Sequence, residues 1–524
     1  MRALLLEMLA AERGPEAIEL VLQMLRQIGD RNAHLELEQE RLLRKHLGRT
    51  SEKISPQQLS LLKQLLGEPS DDAAVAEATL APPEVELPET HTPKRKKGHG
   101  RRALPEHLPR VEIIHTVPEA ERACPTCGGA RACIGHEQSE VLEFVPASFK
   151  VEVHKREKLA CSACAEGVAT APAPDKVIEK GRPGPGLPAQ VVVAKYADHL
   201  PLTRQRTLYL REGVELPVST LTDWVTAVHS TIAPLCVRIG EHAIVSHVLQ
   251  ADDTGINVLD QDAPGGAKRG HLWCYVGDAT WASFTHTPDW RKEGPQSYLA
   301  ARRGWLVADA YKGYDGLFTR PGATPVEVAC WAHARRPFAE LALGGDARAA
   351  PVIELVRKLY EIEECARLDG VSPEERQARR QRESLPLVDA ITAACITARQ
   401  QHPPSDPLAK AAGYVINQNG ALRRFLEDGL LPIDNTLTER RLRPIATGRK
   451  NYLFCGSDAR AERAASMYTL LGTCAMAGVD PRAYLTDVLR KLETQRWPWS
   501  RLDELLPPNW AKTAPDSARI PTSR

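Results

Sequence analysis

The sequence predicts a multidomain α/β protein. A mixed sheet with helices forms its core, a helical insertion interrupts that core, and a coiled coil, a metal-binding ribbon and a helical region precede it. Three observations support this class. Apolar residues near the start recur at heptad spacing, two Cys-x-x-Cys pairs follow, and from His247 the apolar pattern changes from helical to strand-like periodicity. At 524 residues the chain exceeds what one hydrophobic core serves, so three or four domains are expected.

Residues 1–67 read as an N-terminal helical region. Ile18, Val21, Leu25, Ile28, Asn32, Leu35, Gln39 and Leu42 fall on a 3-4 seam. That is the spacing of a two-stranded coiled coil, in which a polar residue such as Asn32 fixes register. Homo-oligomerisation through this seam is expected. Residues 68–105 read as a disordered linker, where acidic, Pro-rich sequence gives way to Lys94, Arg95, Lys96 and Lys97, a basic run suited to phosphates.

Residues 106–175 hold Cys124, Cys127, Cys161 and Cys164 around two short strand-like runs, Val141–Val145 and Phe149–Val153. Two knuckles at the tips of paired strands describe a zinc ribbon. Four thiolates leave no open coordination position, so the Zn2+ is structural and supplies folding energy the small module lacks. The remaining Cys are too scattered for a disulfide scaffold. Residues 185–240 read as three helices, Leu187–Tyr196, Pro201–Arg211 and Ser219–Val228, the last capped by Ser219 or Thr220. Arg204 and Arg206 make this region a candidate DNA contact.

The core's first part spans 245–345. An apolar run from Ser246 to Ala251 ends in Asp252. Strands follow at Gly270–Val276 and Trp281–His286, then a helix at Gln296–Arg302. A fourth strand, Gly304–Ala308, ends in Asp309, and a fifth, Val326–Trp331, leads into the helix His333–Leu343. This order is that of a ribonuclease-H-like fold, in which strands one and four are neighbours and acids at their ends meet. Consecutive strand residues face opposite ways, so only one of Asp252 and Asp253 faces the site, and spacing does not say which.

Residues 346–428 read as a charged helical insertion. The core's last part, 429–475, carries Glu439 on a helix Leu437–Ile445 capped by Asp434 or Asn435. Arg443 stands four residues on, so a helix ion pair is the plain reading of Glu439. Arg440, Arg441, Arg443, Arg449 and Lys450, interleaved with Tyr452 and Phe454, suit bound DNA. Residues 476–524 read as a helical tail. Asp252, Asp309 and Glu439, brought together, can hold two Mg2+ or Mn2+ ions that clamp the attacking and leaving oxygens of a phosphodiester. His333 reads better as a core or surface histidine near Arg335 than as a proton carrier.

Net charge is +1, so a nucleic-acid partner is argued from local basic clusters alone. No apolar run is long enough to cross a bilayer, and the first leucines meet Glu7, which makes a poor signal peptide. A cytoplasmic protein with no membrane partner is expected.

With these residues placed, the chain resembles the large transposase (TnpC) of the insertion-sequence-66 type, over nearly its whole length. The motifs are Leu47–Lys53, the four ribbon cysteines, His199–Gln205, Ala251–Thr254, Cys330–Arg336, Asp434–Asn435 through Pro444, and Asp480–Leu485. The resemblance implies a DDE transposase whose acids are Asp252, Asp309 and Glu439. It would act on the element's terminal inverted repeats and on target DNA, in the bacterial nucleoid, with two small accessory proteins of the same element as partners. Asp253 stands where the family commonly has Glu, and Pro337 where Lys is usual. The competing readings are an inactive DNA-binding relative with a regulatory role, and a nuclease for RNA–DNA hybrids. The ribbon, coiled coil and insertion disfavour the latter.

Overall fold

The computed structural model describes residues 149–153, 158–159, 169–170, 176–178, 183–319, 325–494 and 497–520. The expected coiled coil, the linker with its Lys94–Lys97 run, and the four ribbon cysteines lie outside the described residues. A two-residue strand β1 (Lys158–Leu159) pairs antiparallel with β2 (Ala169–Thr170).

Three helices follow: α1 (Gly186–Tyr196), α2 (Leu202–Arg211) and α3 (Val218–Val245). The buried Gln205 amide donates to the carbonyls of Val191 (3.2 Å) and Leu200 (3.0 Å), tying α2 to α1. Helix α3 runs far past the expected end at Val228. A buried stripe of Leu221, Trp224, Val228, Ile232, Leu235 and Ile239 continues through Pro234. Burying each such side chain contributes roughly 1.5–3 kcal/mol, which together outweighs a Pro penalty of about 3 kcal/mol. The expected cap is also corrected: Pro217 occupies the N-cap with extended backbone, and Ser219 and Thr220 sit inside the first turn.

The sheet contains β3 (Val248–Leu259), β4 (Ala267–Gly277), β5 (Trp281–Thr287), β6 (Trp305–Ala308) and β7 (Val326–Ala329) in the spatial order β5-β4-β3-β6-β7. Strands β3 to β5 are antiparallel neighbours, whereas β6 joins β3, and β7 joins β6, in parallel. The sheet is therefore mixed, and the first and fourth core strands are adjacent, as expected. Short helices α4 (Glu293–Tyr298) and α5 (Asp315–Phe318) flank β6, and α6 (Trp331–Leu343) follows β7. Pro337 lies within α6 and leaves its start at Trp331 intact.

The insertion comprises α7 (Ala350–Leu368), α8 (Pro373–Arg379), a π-helical turn Arg380–Ser384, α9 (Leu385–Gln401), α10 (Pro407–Asn417) and α11 (Asn419–Arg423). Its Val352, Val356, Val388 and Leu408 share an apolar cluster with Val248, Val307 and Val328 of the sheet. The chain then returns as α12 (Thr436–Tyr452), α13 (Asp458–Ala477), α14 (Pro481–Leu489) and α15 (Pro507–Thr513). Residues from α1, α3, α13, α14 and α15 pack in one cluster with Leu272, Cys274 and Val276 of β4. The edge strand β5 is sealed by α13, where the Thr469 and Thr473 hydroxyls accept from the amides of Phe284 (2.8 Å) and Ala282 (3.2 Å). An edge so capped is closed to pairing with another chain.

Candidate active site

Strand alternation sorts the two adjacent acids. Gln250 and Asp252 pair across the ladder with Val276 and Cys274, whereas Ala251 and Asp253 pair with Tyr275 and Trp273. Cross-strand partners share a face. Asp252 therefore lies on the face of Cys274, which packs in the cluster of α12 and α13, and Asp253 on the face of Trp273 and Tyr275.

The parallel ladder brings in Asp309. Its last pair is Gln250 with Val307. Two residues further along stand Asp252, still within β3, and Asp309, just past the end of β6 at Ala308. The Asp309 carboxylate accepts from the Tyr311 amide (3.2 Å), and Ala310 between them takes φ 62°, so the chain turns sharply just after the acid. One expectation is corrected here. Asp252 does not end its strand: β3 continues to Leu259 because its second half pairs with β4 and buries Ile256 and Val258. It is the pairing with β6 that stops short of Asp252.

Helix α12 crosses this face. The buried Asn435 amide donates to the Ala251 carbonyl (2.8 Å), and the Thr438 hydroxyl reaches the Gln250 amide oxygen at 3.5 Å. Asn435 holds the N-cap position without capping, since its amide is committed to β3, and the Asp434 carboxylate accepts from the Thr436 amide instead (3.0 Å). Glu439 is thus placed over β3 by its immediate predecessors. Among the described residues its ion-pair partners come from α6, not from Arg443: its Oε1 lies 3.8 Å from Arg336 Nη2 and 3.9 Å from His333 Nε2. His333, expected as an incidental histidine, sits against the third acid, with its Nδ1 buried and unpartnered.

The electrostatics register the crowding. Burial, then the charge of Asp309, push the Asp252 carboxyl up to about 8, with Asp253 and Glu439 adding to the rise and the Asp253 amide (2.8 Å) opposing it. Like charges in one half-buried place resist full ionisation. Among the described residues no three His, Cys, Asp or Glu side chains are gathered tightly enough to hold a metal ion. Asp252 still senses the charges of both Asp309 and Glu439. The donor set nonetheless suits a hard cation: carboxylate oxygens at a site where positive charge is deficient, with the buried Asn435 Oδ1 also lacking a donor.

Asp253 serves the opposite face. It accepts from the His271 ring and from the Trp290 indole N–H (3.1 Å). The basic residues divide. Arg204, Arg206, Arg440, Arg443 and Lys450 are exposed. Arg204 reaches Asn451 (3.2 Å), linking α2 to the end of α12. Arg449 is turned inward, donating to the Thr254 hydroxyl (2.9 Å) and the Gly255 carbonyl. Arg441 is half-buried, and burial lowers its pKa. No helix among the described residues is long and apolar enough to cross a membrane.

Comparison with known proteins returns one family throughout. The model of the transposase IS66 family matches residues 180–463, and the zinc-finger binding domain of transposase IS66 matches 121–165, a stretch holding all four ribbon cysteines. A model described as transposase C of IS166 homeodomain matches 34–113, and the IS66 C-terminal element matches 469–507. Among curated relatives, uncharacterized protein y4hP of Sinorhizobium fredii (strain NBRC 101917 / NGR234) is 34% identical over 505 residues, covering 92% of this chain and 89% of its own length. Uncharacterized protein y4jD of the same strain is 33% identical over 78% of this chain and 81% of its own.

Proposed function

The chain belongs to the transposase IS66 family, and from that premise we propose that it is a DDE transposase with a ribonuclease-H-like core, cutting DNA at the ends of its element and joining those ends to target DNA. The observation that carries the reading is the Asp252 carboxyl, crowded by Asp309 and Glu439 on the face of the sheet that α12 crosses. Two divalent cations, Mg2+ or Mn2+, held by Asp252, Asp309 and Glu439 would supply the Lewis acidity that stabilises the attacking and leaving oxygens of a phosphodiester. In cleavage, water attacks the phosphorus and the bond to the 3′ oxygen breaks, leaving a 3′-OH and a 5′-phosphate. In joining, that 3′-OH attacks a target phosphodiester at the same acids: its oxygen bonds to the phosphorus, the bond to the target's 3′ oxygen breaks, and a target 3′-OH leaves with the proton.

The remaining roles fall to residues around them. Asn435 and Thr438 fix the height of Glu439 above β3. Arg336 and His333 orient its carboxylate. Arg440, Arg443 and Lys450, exposed along α12, contact phosphates flanking the cut, and Arg204 and Arg206 extend that surface. Cys124, Cys127, Cys161 and Cys164 hold structural Zn2+ in the zinc-finger domain. The protein works in the bacterial cytoplasm on nucleoid DNA, as an oligomer formed through its N-terminal seam, with the element's small accessory proteins as partners.

The test is cleavage of duplexes carrying the element's own ends, in Mg2+ and in EDTA, by the full chain and by Glu439→Gln. Metal-dependent nicking at the end is expected. The variant should bind ends as before and cut roughly a hundredfold less or worse, the loss typical when one preorganised electrostatic contact is removed. Undiminished cutting by Glu439→Gln refutes the third acid.

A further inference from the structure

Around Asp253, Thr254 and Gly255 of β3 lies an open pocket of about 660 Å³, well within the roughly 300–1,000 Å³ of ligand sites. Its walls come from β3, from Arg269 and His271 of β4, from Trp290 in the loop after β5 and from Arg449 of α12, so two of the segments that carry the acids line it directly. Asp253 follows Asp252. Tyr311, two residues past Asp309, stacks on Trp290, a pocket residue, with ring centroids 4.7 Å apart and 24° between planes. Arg449, on the helix of Glu439, forms a further wall.

The lining has the chemistry of a nucleotide site. Trp290 remains 53% exposed, yet it is anchored at both ends. Its indole N–H donates to Asp253, and its carbonyl accepts from the Tyr311 hydroxyl (2.7 Å). His271 lies nearly parallel to it, at 5.8 Å and 18°. An indole fixed in place but left open to solvent is a stacking platform, since every base offers a π face. Beside it stands Arg269, exposed and without an acceptor among the described residues. Glycine at position 255 leaves room for it to fold over the strand: a Cβ there would meet its guanidinium at 2.5–2.8 Å. A planar, unpaired guanidinium next to an aromatic platform suits a phosphate or a base edge.

We propose that this pocket receives a single nucleobase drawn out of the duplex next to the scissile phosphate, stacked on Trp290 with Arg269 against its backbone. The inference rests on the transposase reading and deepens it. Asp253 acts here as a positioning residue that holds Trp290 and His271, while Asp252 on the other face faces the chemistry. Extraction of one base bends the backbone at the adjoining phosphate and presents that phosphate to the acids, as in other enzymes that work on an extruded nucleotide.

The experiment uses the full chain with Ca2+ in place of Mg2+, and end duplexes carrying 2-aminopurine singly at each position flanking the cut. One position is expected to change fluorescence on binding, and Trp290→Ala should abolish that change while Trp290→Phe keeps it. In Mg2+, Trp290→Ala and Arg269→Ala should cut about 5- to 100-fold more slowly, the range of one lost base stack, with end affinity within about threefold. Placing an abasic site at the responsive position should partly restore cutting by Trp290→Ala. No responsive position with bound wild type, or wild-type cutting by Trp290→Ala, overturns the pocket while leaving the transposase reading intact. A wild type that neither binds nor cuts its ends removes both.

Discussion

Replacing Asp252 by Asn separates what the site does for chemistry from what it costs the fold. The native carboxyl is pushed from an ordinary 3.8 up to about 8, first by burial and then by Asp309. A carboxyl raised in the folded state binds its proton there while the unfolded chain has already lost it. Stability therefore falls as pH rises from about 4 to about 8 and is flat beyond. At about 1.4 kcal/mol per pH unit the full difference is roughly 5–6 kcal/mol. Asp252 keeps some access to water and shares its charge with Asp309, so about 1–3 kcal/mol is the usable figure. Asn has the same shape and no charge. In EDTA at pH 8.5 the variant should melt about 2–12 °C above wild type, taking about 2–4 °C per kcal/mol for a domain of this size. The gap should shrink toward pH 5, where the wild-type carboxyl is itself neutral. Adding Mn2+ should raise the wild-type midpoint and leave the variant nearly unmoved, because binding to the native state alone stabilises it. The assay is a thermal melt over pH 5–9, with and without metal. An Asp252→Asn protein that melts below wild type at pH 8.5 in EDTA refutes the crowding argument, and an equal Mn2+ response in both proteins refutes the ligand.

Two further substitutions test how the site is held. Asn435→Ala removes the tether from α12 to the Ala251 carbonyl; it should cost about 1–3 kcal/mol in urea unfolding and lower the cutting rate with little change in end binding. Glu363→Ala in α7 strips the partner from Arg380, which is fully buried and also donates to the carbonyls of Phe425, Asp428 and Leu431. A lone buried cation should cost about 3–5 kcal/mol in the same measurement, whereas Glu363→Gln should cost less.

How much of this was legible in the sequence depends on the kind of signal. Strands β4 to β7 announce themselves through short apolar runs bounded by turns, and their order follows. Alternation told that Asp252 and Asp253 part ways, but the choice required two facts with no local signature: the parallel register of β6, and the side on which α12 lies. The second half of β3 was missed because Thr254 and Gly255 interrupt the apolar run; only the hairpin partner supplies the pairing. Helix α3 was cut short at Val228 because a Pro six residues on reads as a stop unless tertiary burial is known. The pocket was invisible for a plainer reason. Trp290 sits in a polar loop between Asp289 and Arg291, and Arg269 near the start of β4, among charged and glycine residues. An exposed Trp among charges was the one available hint.

The insertion between Asp309 and Glu439 raises the question of why the proposed site would receive Glu439 from so far along the chain. The contacts suggest an answer in mechanical terms. Arg380, on the π-helical turn inside the insertion, binds the Leu431 carbonyl (2.8 Å) in the segment that leads into α12, and Trp331 at the head of α6 donates its backbone N–H to Ile433 (3.1 Å). Asn435 then hands the chain to β3. From Leu431 to Asn435 the approach to α12 is thus gripped in turn by the insertion, by the helix after β7 and by the strand of the first acid. Its last grip lies four residues before Glu439, about one helical turn. On the proposed reading Glu439 must meet two other carboxylates against their repulsion, and such bracing keeps it from withdrawing. The insertion is then part of the site's framework, and loss of its buried ion pair should reach the third acid as well as the local fold.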